Sequence, residues 1–196
     1  LTRSLADARR SAPTDDLISD LVQTELSDDE VVAAVVLLLN AGHEASVNVF
    51  GNGLVAMLER GLRPGPDAAQ TVEEMLRFDS ALQLFERTAT APVEISGVVV
   101  EEGQKIAALL GAANRDPEVF PHPDAFDVRR DPNPHLAFGV GVHFCLGAPL
   151  ARMELAESLS ALFATCPGLT LAGKVESRGT FVLRGYRSVP VAAGSR

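Results

Sequence analysis

No proline occurs between Ser27 and Pro64, and that absence constrains the fold more than any other feature of the chain. Ser27-Asp28-Asp29-Glu30 is a capping-box pattern directly before the apolar run Val31 to Leu39, so a helix begins there. It can continue to about Arg60, roughly 45 Å at 1.5 Å per residue. Asn40, His43, Glu44, Asn48 and Asn52 break the apolar run before it reaches the ~20 residues of a membrane span. The segment therefore reads as a buried helix through the middle of a domain, with no membrane span.

Helical spacing recurs at residues 5–10, in the segment after Arg63-Pro64-Gly65-Pro66, and from Pro149 to Leu162. Between Arg87 and Gly111, apolar and polar residues alternate around Gly97 and Gly103, and Val93-Glu94-Ile95 with Lys105-Ile106-Ala107 predicts a small sheet. Phe181-Val182-Leu183-Arg184-Gly185 predicts a late strand or hairpin. The expected class is mainly α with small β-sheets.

With 196 residues, 46% of them hydrophobic, the chain can bury one ordinary core. A formal charge of −9 argues against a nucleic-acid partner, because neutralising phosphates needs a basic face. Cys145 and Cys166 are too few for a disulfide framework and fit a reducing, cytoplasmic setting. No secretory signal opens the chain, and Leu1 stands where a methionine would begin a reading frame. Cys166, before Pro167-Gly168, reads as a structural residue at a helix end.

Cys145 lies instead in a glycine-rich loop, Phe138-Gly139-Val140-Gly141-Val142-His143-Phe144-Cys145-Leu146-Gly147, with a helix predicted from Ala148. A free thiol is mostly protonated at neutral pH, and a bound metal or a nearby helix N-terminus favours the thiolate. Gly141 and Gly147 are expected to let backbone N–H groups turn towards the sulfur. A thiolate held this way suits iron as an axial ligand. The alternative is a small cysteine buried in a turn.

The pattern Phe-x-x-Gly-x-x-x-Cys-x-Gly resembles the haem-ligand loop of the cytochrome P450 family, soluble bacterial type. The resemblance covers essentially residues 1–196, which correspond to the C-terminal portion of a single P450 domain. It implies haem b, with Cys145 as the metal ligand and Phe138, Gly139, His143, Gly147 and Arg87 around the cofactor, His143 and Arg87 reaching propionates. Thiolate ligation implies oxygen activation.

Asn40-Ala41-Gly42-His43-Glu44-Ala45-Ser46 resembles the oxygen-binding segment of the family's central helix. Gly42 is expected to permit local distortion, and Glu44 is the acid of the family's acid–alcohol pair. Ala45 stands where most members carry threonine. Ser46, one helix step or about 100° away, points elsewhere. Protons would come through water or through a substrate hydroxyl.

Glu74 and Arg77 match the family's Glu-x-x-Arg pair, with Arg130 as the third, structural member; Thr71-x-x-Glu74 also fits a capping box. The link from Glu44 to Glu74 is shorter than is usual in bacterial members, implying an edge helix trimmed or absent. Ala41, Leu82, Leu84 and Phe181 are the expected substrate contacts.

The implied activity is insertion of one oxygen atom from dioxygen into a small organic substrate, in secondary or xenobiotic metabolism. A ferredoxin-type protein is the implied electron donor, since no flavin or NAD domain is visible. Arg152, near the cysteine side, is a candidate contact for it. A missing N-terminal half would supply further pocket walls. The alternative function is a haem-free scaffold or allosteric partner of another enzyme, favoured by Ala45 and opposed by Cys145, Glu74 and Arg77.

Overall fold

The computed structural model describes residues 2–194. The chain divides into two compact units, residues 1–44 and 45–196.

In the first unit, α1 (Thr2–Ser11) and α2 (Leu17–Val22) precede the start of α3 (Asp28–Glu59). Asp16 caps α2 by accepting the Ser19 N–H at 2.8 Å, and its other oxygen takes Arg9 Nε at 2.5 Å. The predicted capping box of α3 forms in both directions: Ser27 N–H donates to Glu30 Oε2 at 2.8 Å, and Glu30 N–H to Ser27 Oγ at 3.4 Å. Arg3 and Arg10 pair with Asp29 and Asp28 in the first turn of α3. Val31 and Val35 are buried.

The second unit holds the main core. Here α3 contributes Val49, Ala56 and Met57, α4 (Ala68–Phe78) contributes Val72, Met75, Leu76 and Phe78, and α6 (Ala148–Thr165) contributes Leu155 and Leu159. Gly53 lets α3 approach α4 closely: a Cβ there would lie 2.4 Å from Met75 Cγ and 2.6 Å from its Cβ. By length and composition α3 could cross a membrane. The expected burial does not extend along the whole helix: only 11% of its apolar window is buried and Leu37 and Leu39 are exposed, whereas residues 52–57 are mostly buried and Asn52 donates to the carbonyls of Asp79 and Arg184 at 3.0 and 3.2 Å.

Small antiparallel pairs complete the unit. β1 (Phe85–Thr88) pairs with β4 (Lys105–Ala108), and β2 (Val93–Ile95) with β3 (Val98–Val100). Val93–Ile95 and Lys105-Ile106-Ala107 thus lie in different sheets, because the turn through Ser96 and Gly97, both at positive φ, folds β2 back on β3. A short helix, α5 (Leu110–Ala113), leads towards the cysteine loop. Beyond α6, β5 (Thr170–Leu171) pairs with β8 (Val191–Ala192), and β6 (Glu176–Ser177) with β7 (Tyr186–Ser188).

The late strand therefore starts at Tyr186. In the predicted segment Phe181-Val182-Leu183-Arg184-Gly185, a single bridge joins Leu183 to Leu82. Gly185 abuts α3, where a Cβ would meet Asn48 Oδ1 at 2.2 Å. The segment instead lies beside residues 81–83, with Gln83 N–H donating to Val182 O at 3.0 Å and Arg184 N–H to Ala81 O at 2.7 Å.

Candidate functional site

The cysteine loop is built on glycine turns. Gly139 and Gly141 have φ of +70° and +75°, which a side chain would strain. Gly139 N–H donates to Leu136 O at 2.9 Å, Phe144 N–H to Gly141 O at 3.0 Å, and Cys145 N–H to Phe138 O at 3.0 Å, closing the loop on itself. Gly141–His143 forms one 3-10 turn. Gly147 differs from the expectation: its φ is −83°, and a Cβ on it would stand an ordinary 4.0 Å from Cys145 Sγ. Gly147 caps α6, whose second residue, Pro149, suits the first turn of a helix.

Cys145 is exposed and unoxidised, so the reading of it as a small buried turn cysteine does not hold. Around it the loop presents apolar side chains outward: Val140 is 66%, Val142 97%, Phe144 50% and Leu146 87% exposed. Among the described residues no three His, Cys, Asp or Glu side chains converge on a common metal position. Cys166 ends α6 and donates its N–H to Leu162 O at 2.8 Å, as a helix-terminal residue should.

Behind the loop lies a buried charge network. Arg77 Nε and Nη2 donate to the two Glu74 oxygens at 2.7 and 2.8 Å, and both side chains are fully buried. The remaining Arg77 donors meet the carbonyls of Asn114, Pro123 and Ala125. Glu74 also receives Arg130 Nε at 3.1 Å, the Asp127 N–H at 2.9 Å and Asn133 Nδ2 at 3.2 Å. Each charge is paired and hydrogen-bonded, the condition under which ion pairs survive burial. The structure thus brings Glu74, Arg77 and Arg130 together. The N-cap of α4 is Asp67, which accepts the Ala69 N–H, while Thr71 Oγ1 accepts from Gly65. The alternative capping box does not form, because Glu74 is engaged in the network.

Sequence reasoning passed over three residues here. Asn114, fully buried, donates to Ser80 Oγ at 2.8 Å and accepts the Leu136 N–H at 2.7 Å, tying the end of α4 to the loop. Glu73 accepts Arg152 Nε and Nη2 at 2.7 and 3.0 Å and faces His135 Nε2 at 3.0 Å. Burial alone would raise the Glu73 pKa, but the hydrogen bonds from His135 and Arg152, with their charges, outweigh it and hold the carboxyl at about 2. The Arg152 pKa is raised, first by its hydrogen bond to Glu73, with the Cys145 charge a smaller contributor. A Glu-Glu pair four residues before an arginine was the only sequence signal for Glu73, and Glu74 had claimed it.

The other predicted residues are more dispersed. Arg87 is exposed on β1, where it donates to Glu86 O at 3.0 Å and lies over the Phe85 ring. His143 is exposed within the 3-10 turn. Gly42 and Glu44 fall in the first unit, and Ala45 and Ser46 open the second. All four sit on α3, and a Cβ at Gly42 would meet nothing within 4 Å. Ala41 is exposed on the same helix. Leu82 and Leu84 are half-buried, and Phe181 is exposed. The Gln83 N–H bond to Val182 O at 3.0 Å and the Leu82–Leu183 bridge bring these two segments side by side.

Residues 68–167 match the family model for cytochrome P450. The chain is 39% identical over 200 residues to the biotin biosynthesis cytochrome P450 of Bacillus subtilis, covering 96% of this chain and 51% of that protein. It is 41% identical over 202 residues to 6-deoxyerythronolide B hydroxylase of Saccharopolyspora erythraea, covering 95% and 50%. A crystal structure of P450BioI, in complex with an acyl carrier protein ligated to hexadec-9Z-enoic acid, superposes with a TM-score of 0.92 at 39% identity, covering 97% of this chain and 52% of that one. The chain spans about half the length of the curated relatives it matches. Because the family match runs through both the Glu74 network and the Cys145 loop, and the backbone agrees with a solved member, the chain belongs to the cytochrome P450 family.

Proposed function

We propose that residues 1–196 are the C-terminal portion of a single P450 domain, and that the protein is a haem-thiolate monooxygenase of small organic substrates. Members of the family bind haem b, and the cysteine loop fits that group. An exposed soft sulfur, ringed by outward Val140, Val142, Phe144 and Leu146, suits a flat apolar ligand carrying iron. The loop is closed by its own hydrogen bonds, so the sulfur is presented without reorganisation. That exposed thiol in a pre-formed turn carries the proposal.

When bound, the haem supplies dioxygen activation: two electrons and two protons accompany insertion of one oxygen atom into a C–H bond and release of the other as water. Cys145 would hold the iron as thiolate, and Arg87 and His143 would bind its propionates. Glu44 supports proton delivery, and Ala45 leaves the next position without a hydroxyl. Ala41, Leu82, Leu84 and Phe181 contact substrate. A ferredoxin-type protein supplies electrons in the cytoplasm. The carrier-protein complex of P450BioI makes a carrier-bound acyl chain one candidate form of substrate.

Replacing Cys145 with Ser should abolish the thiolate-type ferrous–CO absorbance band, and replacing Cys166 should leave it. An unchanged band in Cys145→Ser would end the assignment. A wild-type protein that takes up no haem would favour the haem-free scaffold.

A further inference from the structure

We propose that Glu73 is a positioning residue for the cysteine loop, a clamp whose one carboxylate ties the segments on both sides of the loop to α4. Its consequence for the iron ligand rests on the haem-thiolate reading above.

Glu73 and Glu74 are neighbours on α4, and one helix step turns them about 100° apart, so they serve separate networks. Glu74 faces the buried arginines. Glu73 takes Arg152, from α6 just beyond the loop, in a two-point fork at 2.7 and 3.0 Å, and takes His135, just before the loop, at 3.0 Å. A planar guanidinium on a carboxylate is both strong and directional.

The histidine is oriented as well. Its Nδ1 accepts the Ala137 N–H at 3.2 Å, so Nε2 carries the hydrogen given to Glu73. The ring satisfies both contacts at once, and its side chain is only 2% exposed.

From this clamp, contacts run to the sulfur-bearing residue. The Arg152 guanidinium lies 4.6 Å from the centroid of the Phe138 ring, pressed between that ring and Glu73. Phe138 packs edge-on against Phe144 at 6.3 Å, and its carbonyl accepts the Cys145 N–H at 3.0 Å. Releasing Glu73 frees Arg152 from Phe138, and Phe138 is the hydrogen-bond partner of Cys145. Neither Cys145 nor the Glu74 network touches Glu73 directly, so the clamp can fail while the fold stands.

The test compares Glu73→Ala, Glu73→Gln, Arg152→Ala and the double Glu73→Ala/Arg152→Ala variant with the parent, in haem-loaded protein from the full reading frame. Amide hydrogen exchange and the ferrous–CO spectrum are read together. Loss of Glu73 should speed exchange at the Cys145 amide roughly tenfold, the scale of a charge-assisted hydrogen bond, and leave residues 74–77 protected. The thiolate-type share of the CO band should fall in favour of the thiol-type band. Glu73→Gln, which keeps one acceptor for Arg152, should lie between, and the double variant should be no worse than Arg152→Ala.

Parent-like exchange at Cys145 in Glu73→Ala overturns the clamp, as does a loss of protection spread evenly over α4 and α6. If Glu73→Ala fails to fold, the same comparison in Glu73→Gln decides. A parent without a thiolate-type band overturns the haem reading alone, and exchange at Cys145 still decides the clamp.

Discussion

Ala45 stands where the resemblance to the family leads one to expect threonine. It is half-buried on unbroken helix, and Ser46 follows one step round. A hydroxyl at 46 cannot take the direction of one at 45, since both are fixed on the same helical ladder. If proton delivery relies on water or on a substrate hydroxyl, Ala45→Thr should alter the fraction of electrons that reach product. Coupling should rise for substrates lacking a hydroxyl and fall where the added methyl crowds the native one. Proton transfer by a positioned group is worth about 10²–10⁴-fold, so product and hydrogen peroxide measured together should resolve the change. Equal coupling in parent and variant across both substrate types would show that position 45 has no part in proton delivery.

Helix α4 joins the core to the network behind the cysteine loop. Its inner face carries Met75 against α3 and Glu74–Arg77 against the meander before the cysteine loop. Arg77→Ala would strand a buried carboxylate shared with Arg130, at a cost of about 3–5 kcal/mol. Thermal melts should show a large loss of stability, with little soluble protein recovered. A parent-like melt would mean that the network is dispensable. The α3–α4 contact offers a paired test. Gly53→Ala drives a Cβ into Met75, and overpacking of about 1–3 kcal/mol should exceed the roughly 1 kcal/mol gained in helix propensity. Gly51→Ala, two residues away, meets nothing within 4 Å and should stabilise by up to about 1 kcal/mol. Opposite shifts in denaturation midpoint are expected, and stabilisation by both would remove the close-contact account.

These elements also show what the sequence could carry. The Ser27–Glu30 box is local, and it formed as read. The cysteine loop was legible for the same reason: its closing hydrogen bonds join residues a few positions apart. Strand partners were not legible, because alternation marks a strand without saying which neighbour it meets; β4 closed on β1. The segment at 181–185 found its bridge partner in Leu82, far away in sequence. Glu73 was hidden because its partners, His135 and Arg152, come from opposite sides of the loop and meet only in the folded chain.

For the molecule as a whole, acidity sets the stability profile. With 26 Asp and Glu against 17 Lys and Arg, falling pH first relieves net negative charge, which favours the compact state. Individual carboxylates oppose that trend. Asp16 lies below the usual carboxylate range because the Ser19 N–H, Arg9 and Thr14 donate to it. Glu73 is held at about 2 against an ordinary value of 4.5. Such groups bind fewer protons folded than unfolded, so their contribution is complete above the unfolded pKa and disappears as pH falls through the folded one. Asp79 runs the other way: burial raises its pKa although the Arg184 and Arg115 charges lower it, so its strain eases on protonation. The melting temperature should therefore decline between about pH 4.5 and 2, the window of Glu73. Glu73→Gln isolates that share. It cannot titrate, so the gap in melting temperature between parent and variant should be widest above pH 4.5 and close towards pH 2. A gap of constant size across this range would mean that Glu73 has the same affinity for protons folded and unfolded. Its ties to His135 and Arg152 would then hold the loop without favouring the charged carboxylate.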